Sequence, residues 1–478
     1  MKTLIDLPPE LLVIVGSNLP AGDLKPLLFT CSYFYGVLRF QLYRNICWDF
    51  RKVLERNYGL PDESATMIVG EGHRFAELVR ADPAIAVAIR KLHLRYDTCY
   101  SCARWEGIVK GKRTCRRFAG QMMSKLTGCT DLTIRNDCNA LLKKTNPLPP
   151  NLQSLTLDPV VNLLFDNQEL DFDKISLVLG HPTLQSLTIG EAILTVPSPK
   201  ANSTLTGSVA SKIKSLNFEG TWIESEALLD LVRSMKLLTS VTFVRGAANL
   251  QTNVWSSMNR PLYPDHRGCL KLEAINAALQ AVSQPLETLK IVYNSRARWE
   301  HQNNDSTLLD LGSFSELKNL TIDPAMVLGR RFCHSFTSDT HKRSLKAPSE
   351  LASILPTALE TLEIAVDREQ AARVPRYRED MLQSLLDEKA RFPGIHRISL
   401  LESEVTQSFS ACDQRCNIPI KCPMPRRGPH GMYPPMNFKQ QAAFTRLQRQ
   451  FEKVGVALVF VEEQFPTGRS RPRTRHRH

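Results

Sequence analysis

Apolar residues recur along this chain with two periods, one of a strand and one of a helix. The strand signal is a short motif: an apolar residue, two others, an apolar residue, one other, and an apolar residue. Its clearest copies are Leu152-Leu155-Leu157, Leu184-Leu187-Ile189, Ile213-Leu216-Phe218 and Leu238-Val241-Phe243. Four more follow at Leu286-Leu289-Ile291, Leu317-Leu320-Ile322, Leu359-Leu362-Ile364 and Ile395-Ile398-Leu400, with weaker starts at Lys91 and Leu132. Thr, Ile, Val and Phe alternate there with polar residues, as in a strand with one face buried. Between copies lie segments with helical spacing: Glu224–Met235 (Ala227, Leu228, Leu231, Val232), Leu272–Val282 and Met381–Ala390. Alternating strand and helix predicts an α/β fold with parallel strands and helices on the other side. One strand–helix unit cannot bury its own apolar face, whereas stacked neighbours can.

The first 43 residues carry the helical period alone. Pro8 and Pro9 suit a helix's first turn, where a missing N–H costs nothing, and Glu10 there complements the helix dipole. Leu11, Leu12, Ile14 and Val15 supply an apolar face, and Gly16 to Pro20 end the helix. Asp23 is the expected N-cap of a second helix bearing Leu24, Leu27, Leu28 and Cys31. Ser32 is the expected N-cap of a third, with Phe34, Val37, Leu38 and Leu42. Three short helices make too small a core to stand alone, so one apolar face is expected to await a partner.

In order and spacing, Leu7, Pro8, Glu10, Leu11, Leu12, Ile14, Leu19, Asp23, Leu24, Leu27, Cys31 and Phe34 resemble the F-box family. The departure is mild: Phe34 and Tyr35 stand where the family usually has an aromatic followed by Trp. The resemblance implies binding of a Skp-family adaptor, and through it a cullin–RING ubiquitin ligase. It assigns adaptor contact to Leu7, Pro8, Glu10, Leu11, Leu12, Ile14, Leu24, Leu27, Cys31 and Phe34. The repeated strand motif resembles leucine-rich repeats, but Val160 stands where that family has Asn, and the copies are spaced unevenly, by roughly 23 to 48 residues. The expectation is an irregular leucine-rich-repeat-like α/β solenoid with inserted loops at 195–211, 247–268, 332–349 and 413–436. A non-repeating α/β domain is the other reading.

Composition fits a folded chain: 42% of the 478 residues are hydrophobic and 23% charged. No long uncharged apolar run predicts a membrane-spanning helix, and Asp6, Pro8, Pro9 and Glu10 break any signal-peptide pattern. Twelve cysteines without a regular framework imply reduced thiols, hence cytoplasm or nucleus. The net charge of +13 favours acidic partners. Part of it lies in Arg469, Arg471, Arg473, Arg475 and Arg477, read as a solvated tail or as an import or nucleic-acid patch.

Cys99-x-x-Cys102, near His93 and Cys115, is a weak zinc signal, as is Cys412, Cys416 and Cys422 near His430; each falls short of a recognisable four-ligand site. Gly107, Gly111, Lys112 and Arg113 lack the glycine spacing and the following Ser or Thr of a phosphate loop. Nothing in the sequence supports catalysis, a cofactor or a metal. The expected organisation is an F-box at 1–48, a helical linker at 49–90, a repeat domain at 91–464 and a basic tail at 465–478. The expected function is substrate receptor of an SCF-type E3 ubiquitin ligase, with the repeat domain holding an unknown protein substrate. The alternatives are an interaction scaffold or a basic nucleic-acid-binding repeat protein; low aromatic content makes nucleic acid the weaker one.

Overall fold

The computed structural model describes residues 4–49, 67–69, 72–95, 119–135, 138–143, 145–158, 170–190, 192–194, 211–219, 221–223, 225–245, 272–293, 309–328, 348–367, 377–403 and 438–463. The chain forms two compact units, residues 1–237 and 238–478.

The first unit opens with helices α1 (Pro9–Asn18), α2 (Ala21–Leu28) and α3 (Ser32–Leu38), followed by a 3-10 turn at Arg39–Tyr43. Its sheet contains β1 (Asn45–Asp49), β2 (Met67–Val69), β3 (Lys91–Arg95), β4 (Asp131–Arg135), β5 (Ser154–Asp158), β6 (Ser186–Gly190) and β8 (Ser215–Glu219). The order is β2-β1-β3-β4-β5-β6-β8, and every pairing is parallel. A small parallel pair, β7 (Ile193–Leu194) with β9 (Trp222–Ile223), stands apart from it. The register never slips. Ile46, Leu92, Leu132, Leu155, Leu187 and Leu216 lie in one cross-strand row, and Trp48, Leu94, Ile134, Leu157, Ile189 and Phe218 in the next. All twelve are buried. A one-residue slip would turn both rows to the opposite face, so their burial fixes the register.

Backbone hydrogen bonds extend this ladder one step before each strand: Arg90 N–H to Arg44 O at 2.8 Å, Thr130 to Arg90 at 2.9 Å, Gln153 to Thr130 at 2.8 Å, Gln185 to Gln153 at 2.8 Å. Helices α4 (Gly72–Ala81) and α5 (Pro83–Ala88) precede β3. Asp82 caps α5 by accepting from the Ala84 N–H at 3.0 Å, and Phe75 of α4 meets Trp48 edge to face at 5.3 Å.

The second unit follows the same plan. Strands β10 (Ser240–Arg245), β11 (Thr288–Tyr293), β12 (Asn319–Ile322), β13 (Thr361–Asp367), β14 (Arg397–Ser403) and β15 (Ala457–Glu463) pair in chain order, again all parallel. Val241, Leu289, Leu320, Leu362, Ile398 and Leu458 form one buried row. Helices at Leu272–Gln280, Tyr377–Asp387 and Phe438–Lys453 lie between strands in sequence. The last ends at Gly455, whose φ of 76° closes the helix as only glycine readily does. Both units share one tying device. Asn139 Oδ1 accepts the Asp171 N–H at 3.0 Å, and Asn276 Oδ1 accepts the Asp310 N–H at 3.0 Å.

The fold is therefore α/β, with open parallel sheets whose strands follow chain order from β3 onward; β1 lies between β2 and β3. Among the described residues, no helix is long and apolar enough to cross a membrane. Three expectations need correction. The stretch 49–90 is not only helical, because β2 lies within it, and β1 forms at the end of the span 1–48; both join the sheet beside β3. β15 and the helix Phe438–Lys453 follow the last recognised motif copy and lie inside the span 91–464 already assigned to the array. α2 begins at Ala21 behind Pro20, which places Asp23 inside the first turn. α3 begins at Ser32 behind an extended Cys31, with no side-chain cap on either helix.

Candidate docking surface

The three N-terminal helices close on a small core of Leu12, Leu24, Leu28, Phe34 and Leu38. Gly16 packs close to α3: a Cβ there would stand 2.8 Å from Leu38 Cδ2, and the Leu38 side chain would have to shift to admit it. The Tyr33 hydroxyl donates to the Leu7 carbonyl at 3.1 Å and ties the chain start to α3. Ser17 and Asn18 each donate to the Ile14 carbonyl, at 2.8 and 2.9 Å, and satisfy an end carbonyl of α1.

What this core leaves outside is unusual. Twelve large apolar side chains are conspicuously exposed among the described residues, and seven fall within residues 4–35: Leu4, Ile5, Leu11, Ile14, Val15, Phe29 and Tyr35. The other five are scattered singly, which is ordinary for a folded surface. Leu11, Ile14 and Val15 share one side of α1, opposite Leu12 and Gly16. Leu11 is 47% and Ile14 57% exposed, and Phe29, at the end of α2, is 84% exposed. This concentration of apolar surface makes the segment the candidate docking surface.

The residues nominated from sequence divide accordingly. Pro8, Glu10, Leu11 and Ile14 face solvent. Leu7, Leu27 and Cys31 are half-buried against the small core, and Leu12, Leu24 and Phe34 are inside it. The last three hold the helices together and are not free to touch a partner in this arrangement. Leu4, Ile5, Val15, Phe29 and Tyr35 were not nominated; their signal was apolar character at positions the packing does not use.

The repeat strands offer a second, polar surface. Between the buried rows, Thr133, Thr156, Thr188 and Asn217 align across β4, β5, β6 and β8. Asn217 Nδ2 donates to Thr188 Oγ1 at 3.2 Å, and Arg135 pairs with Asp158 at 3.4 Å. In the second unit, Thr361 Oγ1 donates to Asn319 Oδ1 at 2.7 Å and Thr321 Oγ1 to Glu363 Oε2 at 2.9 Å. These groups largely satisfy one another and form a hydrogen-bonding face along the strands.

Burial pushes the Cys129 thiol up to about 12, which makes it inert. Burial also lowers the pKa of His181, whose Nε2 lies 3.0 Å from the Pro149 carbonyl. Among the described residues no three His, Cys, Asp or Glu side chains converge as metal ligands. Cys99, Cys102, Cys115, the set Cys412, Cys416, Cys422 and His430, the glycines at 107 and 111, and the basic tail lie outside the described residues, as does nearly all of the four expected loops. No protein-family model matches the chain, and no curated protein matches it.

Proposed function

We propose that this chain is the substrate receptor of an SCF-type E3 ubiquitin ligase. In this reading α1–α3 are an F-box that docks a Skp-family adaptor, and the parallel-strand array is a leucine-rich-repeat-like domain that holds a protein substrate. One observation carries the reading: the segment bearing the Leu-Pro-x-Glu-Leu-Leu, Asp-Leu and Cys pattern is also the segment where exposed apolar side chains concentrate. The chain's part in ubiquitin transfer is proximity. It holds a substrate lysine near a charged conjugating enzyme whose chemistry resides in other subunits.

The test uses surface residues alone. Leu11→Asp with Ile14→Asp places two carboxylates on the α1 stripe, outside the small core. Association with purified adaptor should fall by at least about thirtyfold, because each site loses roughly 1 kcal/mol of remaining apolar burial and gains a desolvated charge. Circular dichroism should show the native fold. A folded variant that binds the adaptor as tightly as the native chain would exclude the α1 stripe as the docking face.

A further inference from the structure

Helix Phe438–Lys453 packs inward through Phe444, Leu447 and Phe451, with Phe444 edge to face on Phe460 of β15 at 5.7 Å. Its opposite side is a groove of about 580 Å³ lined by Gln441, Thr445, Arg446, Arg449, Gln450 and Lys453. Arg446, Arg449 and Lys453 stand at i, i+3 and i+7, one helix face, and span about 10 Å along the axis. All three are exposed, and among the described residues none makes an ion pair. The helix carries a single acidic residue, Glu452. Within the groove wall, the buried Oε1 of Gln450 has no hydrogen-bond partner.

Helix electrostatics account for only part of this. A cation in the last turn, such as Lys453, complements the carbonyl end of the helix. Arg446 lies two turns earlier, beyond that effect, and Arg449 and Arg446 offer forked donors suited to carboxylates rather than a generic positive charge. An unpaired cationic row beside an unsatisfied amide is a surface that lacks its partner.

We propose that this groove docks an acidic, carboxylate-bearing protein segment lying along the helix. Acidic side chains at helical or extended spacing can meet Arg446, Arg449 and Lys453 in succession. Nucleic acid fits less well. Among the described side chains of the helix, the aromatic rings Phe444 and Phe451 face inward and give bases nothing to stack on. Three cations also fall short of the phosphate contacts that sustain duplex binding. The inference rests on this helix alone and stands or falls independently of the adaptor reading.

The test is fluorescence anisotropy of the full chain with a labelled Glu-rich peptide at physiological ionic strength. Arg446→Glu with Arg449→Glu should weaken binding at least about tenfold, and the milder Arg446→Gln with Arg449→Gln should weaken it in the same direction. Arg233→Glu with Lys236→Glu, an equal charge change at exposed positions of the first unit, should weaken it less than about threefold. A single-stranded oligonucleotide of the peptide's net charge should displace the peptide only at higher concentration. Equal loss in the two charge reversals would mean general attraction to a basic chain and would overturn the proposal. So would unchanged binding after the groove reversal, or an oligonucleotide that displaces the peptide at lower concentration.

Discussion

Replacing Gly128 by alanine adds one methyl group where the structure has no room for it. An ideal Cβ at Gly128 would lie 1.8 Å from the Val87 carbonyl oxygen, 2.6 Å from its carbon and 3.0 Å from the Ile89 oxygen. These are backbone atoms at the end of α5, so no side-chain rotation relieves the clash. The two segments must separate by more than an ångström. That movement strains the Gly128 N–H bond to Ala86 O at 3.3 Å and the Arg90 Nη1 bond to Gly128 O at 3.2 Å. It also pulls on the Thr130 and Asp131 N–H groups that share the Arg90 carbonyl at 2.9 and 3.1 Å and set the register of β4 on β3. One or two hydrogen bonds at about 1 kcal/mol each, plus overpacking, give a destabilisation of about 2–3 kcal/mol in the first unit. Because the chain has two units, global unfolding will not report this as one transition. Hydrogen exchange read by peptide mass will. Amides of β3 and β4 should exchange about 30- to 150-fold faster, while those of β11 to β14 keep their native rates. Gly22→Ala, where a Cβ meets nothing within 4 Å, is the control and should be neutral or slightly stabilising. Native protection of β3 and β4 in Gly128→Ala would refute the packing argument.

Other outcomes follow from the same geometry. Leu12→Ala, at a side chain with no exposure, should destabilise the three-helix unit by about 2–5 kcal/mol, measured as loss of protection in α1 and α3. Arg391 donates to the Ala352 carbonyl at 2.9 Å and the Leu355 carbonyl at 3.3 Å and pairs with Glu388 at 3.3 Å. Arg391→Met should therefore cost about 2 kcal/mol in the second unit, seen as faster exchange over 351–355. Burial lowers the His181 pKa below its ordinary 6.5, so the unfolded chain takes up a proton first as pH falls. The stabilisation is full above pH 6.5 and declines as pH drops toward the folded-state value; His181→Gln should flatten that slope in the exchange of 172–190.

The repeated motif was legible because burial enforces it. A leucine replaced by a polar residue at Leu155 or Leu187 would put that residue in the buried row, so the sequence must keep the pattern. β1 escaped notice because Ile46 and Trp48 alternate over only five residues with no leucine three positions earlier. β15 escaped because Leu458 to Val461 is a continuous apolar run whose period cannot be read. The helix Phe438–Lys453 is mostly polar, with its inward residues few and spread out. At the docking surface the limit is different. Leu11 to Val15 are all apolar, Val13 lying on the side the others leave open, so periodicity cannot tell the inward face of α1 from the outward one. In the structure Leu12 and Gly16 face the small core, and Leu11 and Ile14 stay outside. Two helix starts were misplaced by one to three residues: Pro20, not Asp23, precedes α2, and an extended Cys31, not Ser32, precedes α3.

The most direct measurement is titration of the purified native chain with a purified Skp-family adaptor by calorimetry. The account predicts a one-to-one complex of sub-micromolar affinity with a negative heat-capacity change, the mark of apolar burial at α1–α3. A chain that is folded by circular dichroism yet gives no binding heat at several temperatures would contradict the ligase-receptor reading.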